Sequence, residues 1–175
     1  MNLKNIFRSV ILFTIIIGLI ISCDNKQALK DAVSETLGTT IFTLQPSSDS
    51  IRPRFTLIRY VENPGCTSCQ LQLGQWRVYR KKLELKYKDA VRLSFVVKSD
   101  NLKELDRVLG INKFDDITVV DSLGLFRSTN NLNKILGKDI VMLLDSTDKV
   151  LCMGNPCEDE VIDSIYESMF LKILY

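Results

Sequence analysis

The sequence predicts an α/β fold in three α/β/α layers, with helices packed on both faces of one central mixed sheet. The elements occur in the order strand, helix, strand, helix, connecting segment, hairpin and final helix. A βαβ unit joined to a ββα unit builds a single sheet of this kind. The chain has 175 residues, of which 46% are hydrophobic and 25% charged, and these values are typical of one globular domain.

The first half of the predicted domain alternates strands and helices. The run FTLIRYV at 55–61 is rich in β-branched and aromatic residues and stops at Asn-Pro-Gly, so it predicts a strand that leads into a tight turn. Over 66–88, apolar residues recur at helical spacing among Arg and Lys, which predicts an amphipathic helix. Alternating apolar residues at 91–97 predict a second strand, and the spacing over 102–109 predicts a second helix.

The second half is predicted to complete the sheet. A short apolar run at 117–120 is followed by a segment, 123–134, with room for a short helix. The runs at 140–144 and 150–153 flank Asp-Ser-Thr-Asp, whose turn-forming residues predict a hairpin. The last segment, 158–169, has three acids at its start and then apolar residues in helical register, as expected where carboxylates face the positive end of a helix.

The N-terminus has the pattern of a signal peptide. Lys4 and Arg8 precede an uncharged run over 9–22, which is short for a bilayer span and is followed at once by Cys23. The sequence Leu-Ile-Ile-Ser-Cys that ends there resembles the lipobox of bacterial lipoproteins. The resemblance implies cleavage after Ser22 and lipidation of Cys23, and the alternative is an uncleaved N-terminal helix.

We therefore divide the chain into a lipoprotein signal peptide (1–22), a lipid-anchored tether with a weak strand at 39–44 (23–53), and one domain (54–175). The alternative for 23–53 is that all of it is linker. Loss of 1–22 removes two cations and no acid, so the net charge falls from +2 to zero. No basic block remains to bind nucleic acid. We expect a lipid-anchored protein of the bacterial cell envelope facing the periplasm, where disulfides persist.

Cys66 and Cys69 form a CxxC pair between the first strand and its helix. If the helix begins near Cys66, its positive end and unpaired N–H groups favour the thiolate of Cys66. Cys69, one helical turn later, then resolves a mixed disulfide formed on Cys66. The pattern predicts a redox-active dithiol, and the alternative is a static disulfide or an unused local pair.

The strand and helix around this pair, 55–86, resemble the active-site strand and helix of thioredoxin-fold proteins. The hairpin IVMLLDSTDKVLCMG and the closing helix are similar to the rest of that fold, so the resemblance covers roughly 54–172. The nearest variety is the lipid-anchored or membrane-tethered thioredoxin-like proteins of the bacterial envelope. The resemblance implies thiol-disulfide exchange with protein thiols and disulfides, with Cys66 attacking, Cys69 resolving, and no cofactor or metal.

Four features differ from that family's pattern, and one is the pair between the two cysteines, which is Thr67-Ser68 here and Gly-Pro in the family. Gly65 precedes the first cysteine where the family usually has Trp, and Tyr60 stands at the place of a buried acid that assists proton transfer. The stretch Gly-Lys-Asp-Ile at 137–140 aligns with the family's cis-proline. Because a cis bond before a residue other than proline costs roughly 2.5–4 kcal/mol, we expect a trans loop there.

Cys152 and Cys157 bracket the turn Met-Gly-Asn-Pro between the last strand and the last helix. They are candidates for a second disulfide across that turn. The alternative is a strand residue, Cys152, that packs in the core.

Three other functions compete with thiol-disulfide exchange. The stretch Pro-Gly-Cys-Thr at 64–67 also resembles the peroxidatic loop of the bacterioferritin-comigratory peroxiredoxins, although Asn63 stands where that class has Thr. Two cysteine pairs offer a four-cysteine metal site, whereas the absence of histidine excludes mixed Cys/His sites and histidine-dependent hydrolysis. The third alternative is a thioredoxin-fold lipoprotein that serves as a binding or scaffold domain without redox activity.

Overall fold

The structure is a computed structural model that describes residues 29–43, 53–62, 71–114, 117–135, 137 and 139–174. The predicted signal peptide, Cys23 and the CxxC pair lie outside these residues. Within the described part, every helix is too short or too polar to cross a lipid bilayer.

Five strands form one mixed sheet, which confirms the predicted fold class. Their order across the sheet is β3-β2-β1-β4-β5. β1 runs parallel to β2 and β2 parallel to β3, whereas β4 is antiparallel to both β1 and β5. The strands are β1 (Phe55–Glu62), β2 (Val91–Lys98), β3 (Ile117–Val120), β4 (Asp139–Asp145) and β5 (Val150–Met153).

In the described part of the chain, α-helices connect or flank these strands. The helices are α1 (29–36), α2 (Leu73–Tyr87), α3 (Leu102–Ile111), α4 (Leu125–Thr129) and α5 (Glu160–Leu174). The side chain of Asn101 caps α3 by accepting a hydrogen bond from the backbone N–H of Glu104.

The helices pack on both faces of the sheet, in three layers. Two separate clusters of buried residues fill the spaces, one beneath α2, α3 and α5 and the other beneath α1 and α4. Alternation along β1 sends Leu57 and Val61 into the first cluster and Ile58 and Tyr60 into the second. β1 is therefore buried on both faces, which explains why its sequence is an almost continuous apolar run.

The segment before β1 packs against the second cluster. Ala32 of α1 and Ile41 are buried there, and burial of a side chain such as Ile41 contributes roughly 1.5–3 kcal/mol. Thr40 forms an isolated antiparallel bridge with Lys149 at the hairpin. In the described part of the predicted strand at 39–44, this bridge is the only strand-type pairing.

Candidate active site

The predicted catalytic residues Cys66 and Cys69 lie outside the described residues, between Glu62 at the end of β1 and Leu71 just before α2. Residues 63–70 are called the CxxC segment below. The structure does describe the groups that surround these two flanks. An arginine side chain binds each flank. One of the two arginines also contacts the first residue of β4, and the other contacts the stretch before it.

Arg59 is the central group of these surroundings. It lies on β1 with none of its side chain exposed, and its guanidinium forms a fork with the carboxylate of Asp139. Nε donates to Oδ1 at 3.0 Å and to Oδ2 at 3.1 Å, and Nη2 donates to Oδ2 at 2.5 Å. A buried guanidinium costs several kcal/mol in lost hydration unless it is paired, and Asp139 offsets this cost.

The other contacts of Arg59 are with α2 and its approach. Nη1 donates to the backbone carbonyl of Leu71, and Nη2 donates to Oε1 of Gln72 at 3.3 Å. The rings of Trp76 and Phe95 lie 5.2 and 5.7 Å from the guanidinium carbon, within the range of cation–π attraction. Arg59 thus joins the end of the CxxC segment to the start of β4.

Sheet register explains why these groups meet. Arg59 is opposite Val141 on β4, and Val61 is opposite Asp139, so Asp139 is the diagonal neighbour of Arg59. By the alternation of β1, the Arg59 side chain also points to the face that carries α2.

The first flank is held by a second charged cluster. Glu62 is opposite Lys98 in the register of β1 and β2, and its carboxylate accepts from Nζ of Lys98 at 2.7 Å and from Nη1 of Arg127 at 2.6 Å. These hydrogen bonds, the one from Lys98 most of all, lower the pKa of Glu62. Arg127 also donates to the carbonyls of Gly137 and Ile135, and so ties Glu62 to the approach to β4.

Tyr60, which aligns with the family's buried acid, is fully buried on the opposite face from Arg59. Its ring stacks on Phe126 with 5.3 Å between centroids. Its hydroxyl has no hydrogen-bond partner among the described residues, and burial raises the pKa of Tyr60 to about 12. Tyr60 is therefore neutral at physiological pH.

The buried acid on that face is Asp121. Its carboxylate accepts from the backbone N–H groups of Leu125 at 2.8 Å and Phe126 at 2.9 Å. Asp121 is thus occupied in capping α4.

The stretch aligned with the cis-proline has a different feature. The Asp139–Ile140 bond is trans, and no cis peptide bond occurs among the described residues. Where thioredoxin-fold proteins have the cis-proline, this chain has Asp139, whose carboxylate binds the guanidinium of Arg59.

Cys152 and Cys157 are free, half-buried thiols in the structure. Cys152 is opposite Leu143 and packs against the first core cluster. Burial raises the pKa of Cys152, and it raises the pKa of Cys157 to about 12, so both are protonated at neutral pH. A disulfide between them stays a prediction.

Among the described residues, no group of three or more Cys, Asp or Glu side chains is placed to hold a metal ion. The four-cysteine alternative needs Cys66 and Cys69 and lies outside this observation.

Arg59, Glu62 and Arg127 were not predicted from the sequence as site residues. The signal for Arg59 was present in FTLIRYV, because a cation at an inward position of an otherwise apolar strand requires a buried partner.

Solved structures share this architecture over most of the chain. A thiol-disulfide oxidoreductase from Bacteroides fragilis NCTC 9343 matches with a TM-score of 0.53 at 18% identity, over 70% of this chain and 86% of its own. A thiol:disulfide interchange protein from Bacteroides sp. matches with a TM-score of 0.54 at 12% identity, over 75% and 88%. The fold is thioredoxin-like.

A chain from Chlorobium tepidum assigned as a thiol:disulfide interchange protein, DsbE, matches with a TM-score of 0.56 at 13% identity, over 77% of this chain and 96% of its own. No protein-family model matches the sequence, and no curated protein is significantly similar to it. At 12–18% identity, the structural similarity establishes the thioredoxin-like fold alone.

Proposed function

We propose that this protein is a thiol-disulfide oxidoreductase that acts through Cys66 and Cys69. The observation that carries the proposal is the position of the CxxC segment, which connects the central strand β1 to α2 in a thioredoxin-like fold. Both ends of the segment are anchored, Glu62 by Lys98 and Arg127 and Leu71 by Arg59.

The reaction is a two-electron exchange with a protein disulfide. The thiolate of Cys66 attacks one sulfur of the partner disulfide, which forms a mixed disulfide and releases the first partner thiolate. The thiolate of Cys69 then attacks the sulfur of Cys66, breaks the mixed disulfide and releases the second partner thiolate. The partner gains two electrons and this protein holds a Cys66–Cys69 disulfide. The reverse sequence oxidises a partner dithiol.

Two further observations support this function. The solved structures with the same architecture are described as thiol-disulfide oxidoreductases or interchange proteins. The lipobox-like sequence at Cys23 supports a thioether-linked lipid anchor, with the domain facing the periplasm. In that compartment, protein thiols and disulfides are available partners.

A redox titration of the full-length protein in detergent tests the proposal. Equilibration with reduced and oxidised glutathione is expected to give one two-electron transition, which Cys66→Ser and Cys69→Ser abolish. Cys69→Ser is expected to trap a mixed disulfide on Cys66, because the resolving thiol is absent. Cys152→Ser and Cys157→Ser are matched controls and are expected to retain the transition.

Absence of both the transition and the trapped intermediate would refute thiol exchange and favour the scaffold alternative. Consumption of peroxide by the reduced protein would instead identify the peroxiredoxin-like activity.

A further inference from the structure

We propose that the ion pair of Arg59 and Asp139 sets the reduction potential of the dithiol formed by Cys66 and Cys69. This inference rests on the proposed function, since it assigns the two charged residues a positioning and electrostatic role toward that same dithiol.

Arg59 contacts the chain at Leu71, where the described residues resume after the CxxC pair. Its guanidinium donates to the carbonyl of Leu71, and Cys69 precedes Leu71 by only two residues. Covalent geometry keeps Cα atoms two residues apart within about 7 Å of each other. The cationic group and the resolving cysteine are thus tied to the same short piece of chain.

Solvent screens the two charges of the ion pair to different degrees. The Arg59 side chain is 0% exposed, so water does not screen its charge, whereas that of Asp139 is 36% exposed. A charge in such surroundings acts over a longer distance than a surface charge. The carboxylate therefore compensates a cation that would otherwise strongly favour a nearby thiolate.

A thiol in the described part experiences both charges. Burial is the main cause of the raised pKa of Cys157, while Arg59 acts to lower it. Asp163, Glu158 and Asp139 act to raise it. The side chain of Gln72 donates to Glu158 at 2.9 Å, which places this thiol's loop next to the start of α2.

Removing the charge of Asp139 and removing the charge of Arg59 must then shift the reduction potential of the dithiol in opposite directions. Replacing Asp139 by Asn leaves the Arg59 charge uncompensated, stabilises the reduced thiolate form and makes the couple more oxidising. Replacing Arg59 by Met leaves Asp139 alone, disfavours the thiolate and makes the couple more reducing. A purely structural pair destabilises the fold in both variants but has no reason to shift the potential with opposite signs.

The experiment measures the equilibrium constant of the full-length protein with glutathione in detergent. Asp139→Asn is expected to shift it at least threefold toward the dithiol, and Arg59→Met at least threefold toward the disulfide. For a two-electron couple, threefold corresponds to about 14 mV. Arg59→Lys keeps the charge and is expected to stay within twofold of the wild type. Arg107→Met and Glu104→Gln, which change charge in an exposed ion pair on α3, are matched controls without effect.

The outcomes separate this inference from the proposed function. A wild-type transition with both variants within twofold of it, or with shifts of the same sign, would overturn the role of the pair and leave the proposed function standing. Absence of the wild-type transition would overturn both. If circular dichroism shows that Arg59→Met does not fold, the sign of the Asp139→Asn shift and the result for Arg59→Lys decide the question.

Discussion

Glu62 and Lys98 lie opposite each other at the carboxyl ends of β1 and β2, with 2.7 Å between Oε1 and Nζ. Arg127 binds the other carboxylate oxygen at 2.6 Å. Glu62 is the last described residue before the CxxC segment, so this cluster fixes the position from which that segment departs. Only 23% of the Glu62 side chain is exposed. Because water competes less for a half-buried carboxylate, its hydrogen bonds are stronger than those of an exposed ion pair.

Glu62→Gln is expected to reduce the free energy of unfolding at pH 7 by about 1 kcal/mol, because the amide has one acceptor oxygen in place of two and no charge to attract Lys98 and Arg127. Because the pKa of Glu62 is lowered in the folded state, its contribution is complete above the unfolded-state pKa. It is lost as the pH falls through the folded-state pKa. The difference between wild type and variant in urea unfolding should therefore shrink below about pH 4.

The control for this prediction is Glu104→Gln in the exposed pair with Arg107, which should leave the urea midpoint unchanged. A difference for Glu62→Gln that persists to pH 2 would show that a loss other than the ionic bonds is responsible.

Two neighbouring residues of α5 provide a test of the core. Phe170 is fully buried against Phe55 and Tyr87, with ring centroids 5.1 and 4.9 Å away, whereas Leu171 is 50% exposed. Phe170→Ala is expected to lower the free energy of unfolding by about 3–5 kcal/mol, because it leaves a cavity. Leu171→Ala is the control and should change it by less than about 0.5 kcal/mol. Similar losses in thermal or urea unfolding would contradict the orientation of α5.

The sequence was sufficient to predict the fold because its signals are local and repeated. Alternation over 91–97 and helical spacing depend only on which face of each element is buried. The helix predicted over 66–88 is an exception in its bounds, because α2 begins at Leu73, after Gln72 with a left-handed backbone at φ +47°. The weak strand at 39–44 was harder to predict from the sequence, because its pairing depends on Lys149, more than a hundred residues away. Long-range pairing of this kind leaves no periodic signal in a short polar segment.

The candidate site was only partly predictable for the same reason. The CxxC pair is visible as a motif, but the partner of Arg59 depends on the register between β1 and β4. A one-residue slip would send Asp139 to the other face of the sheet. The sequence therefore indicated that Arg59 needs a partner without indicating that Asp139 supplies it.

Two glycines are expected to respond in opposite ways to substitution by alanine. Gly154 has φ +135°, and an added Cβ would meet Cδ1 of Ile162 at 2.9 Å, so Gly154→Ala should be destabilising by about 1–3 kcal/mol. Gly74 lies in α2, and apart from its chain neighbours and the backbone of its own helix no atom lies within 4 Å of an added Cβ, so Gly74→Ala should stabilise the fold by about 0.5–1 kcal/mol.

Thermal unfolding of Gly154→Ala and Gly74→Ala measures the expected loss of stability in the first variant and the expected gain in the second. Ile162→Val in the Gly154→Ala background should recover part of the loss if contact with the side chain contributes to it. Destabilisation by Gly74→Ala would contradict the open space beside α2.

The final prediction separates Tyr60 from proton transfer. Because its hydroxyl is buried without a partner among the described residues, Tyr60→Phe should raise the free energy of unfolding by up to about 1 kcal/mol. Tyr166→Phe is the control, since its hydroxyl donates to the carbonyl of Gly154 at 2.8 Å, and it should lose about 1 kcal/mol.

The pH dependence of the same variant follows from the raised pKa. With a folded-state pKa of about 12, Tyr60 binds its proton more tightly when folded, so wild-type stability falls above about pH 10 as the unfolded chain ionises. Tyr60→Phe lacks this part of the fall. At pH 7 the hydroxyl is neutral in both states, so the rate of thiol-disulfide exchange should stay within twofold of the wild type. A tenfold slower exchange at unchanged stability would instead give Tyr60 the proton-transfer role that a buried acid has in thioredoxin-fold proteins.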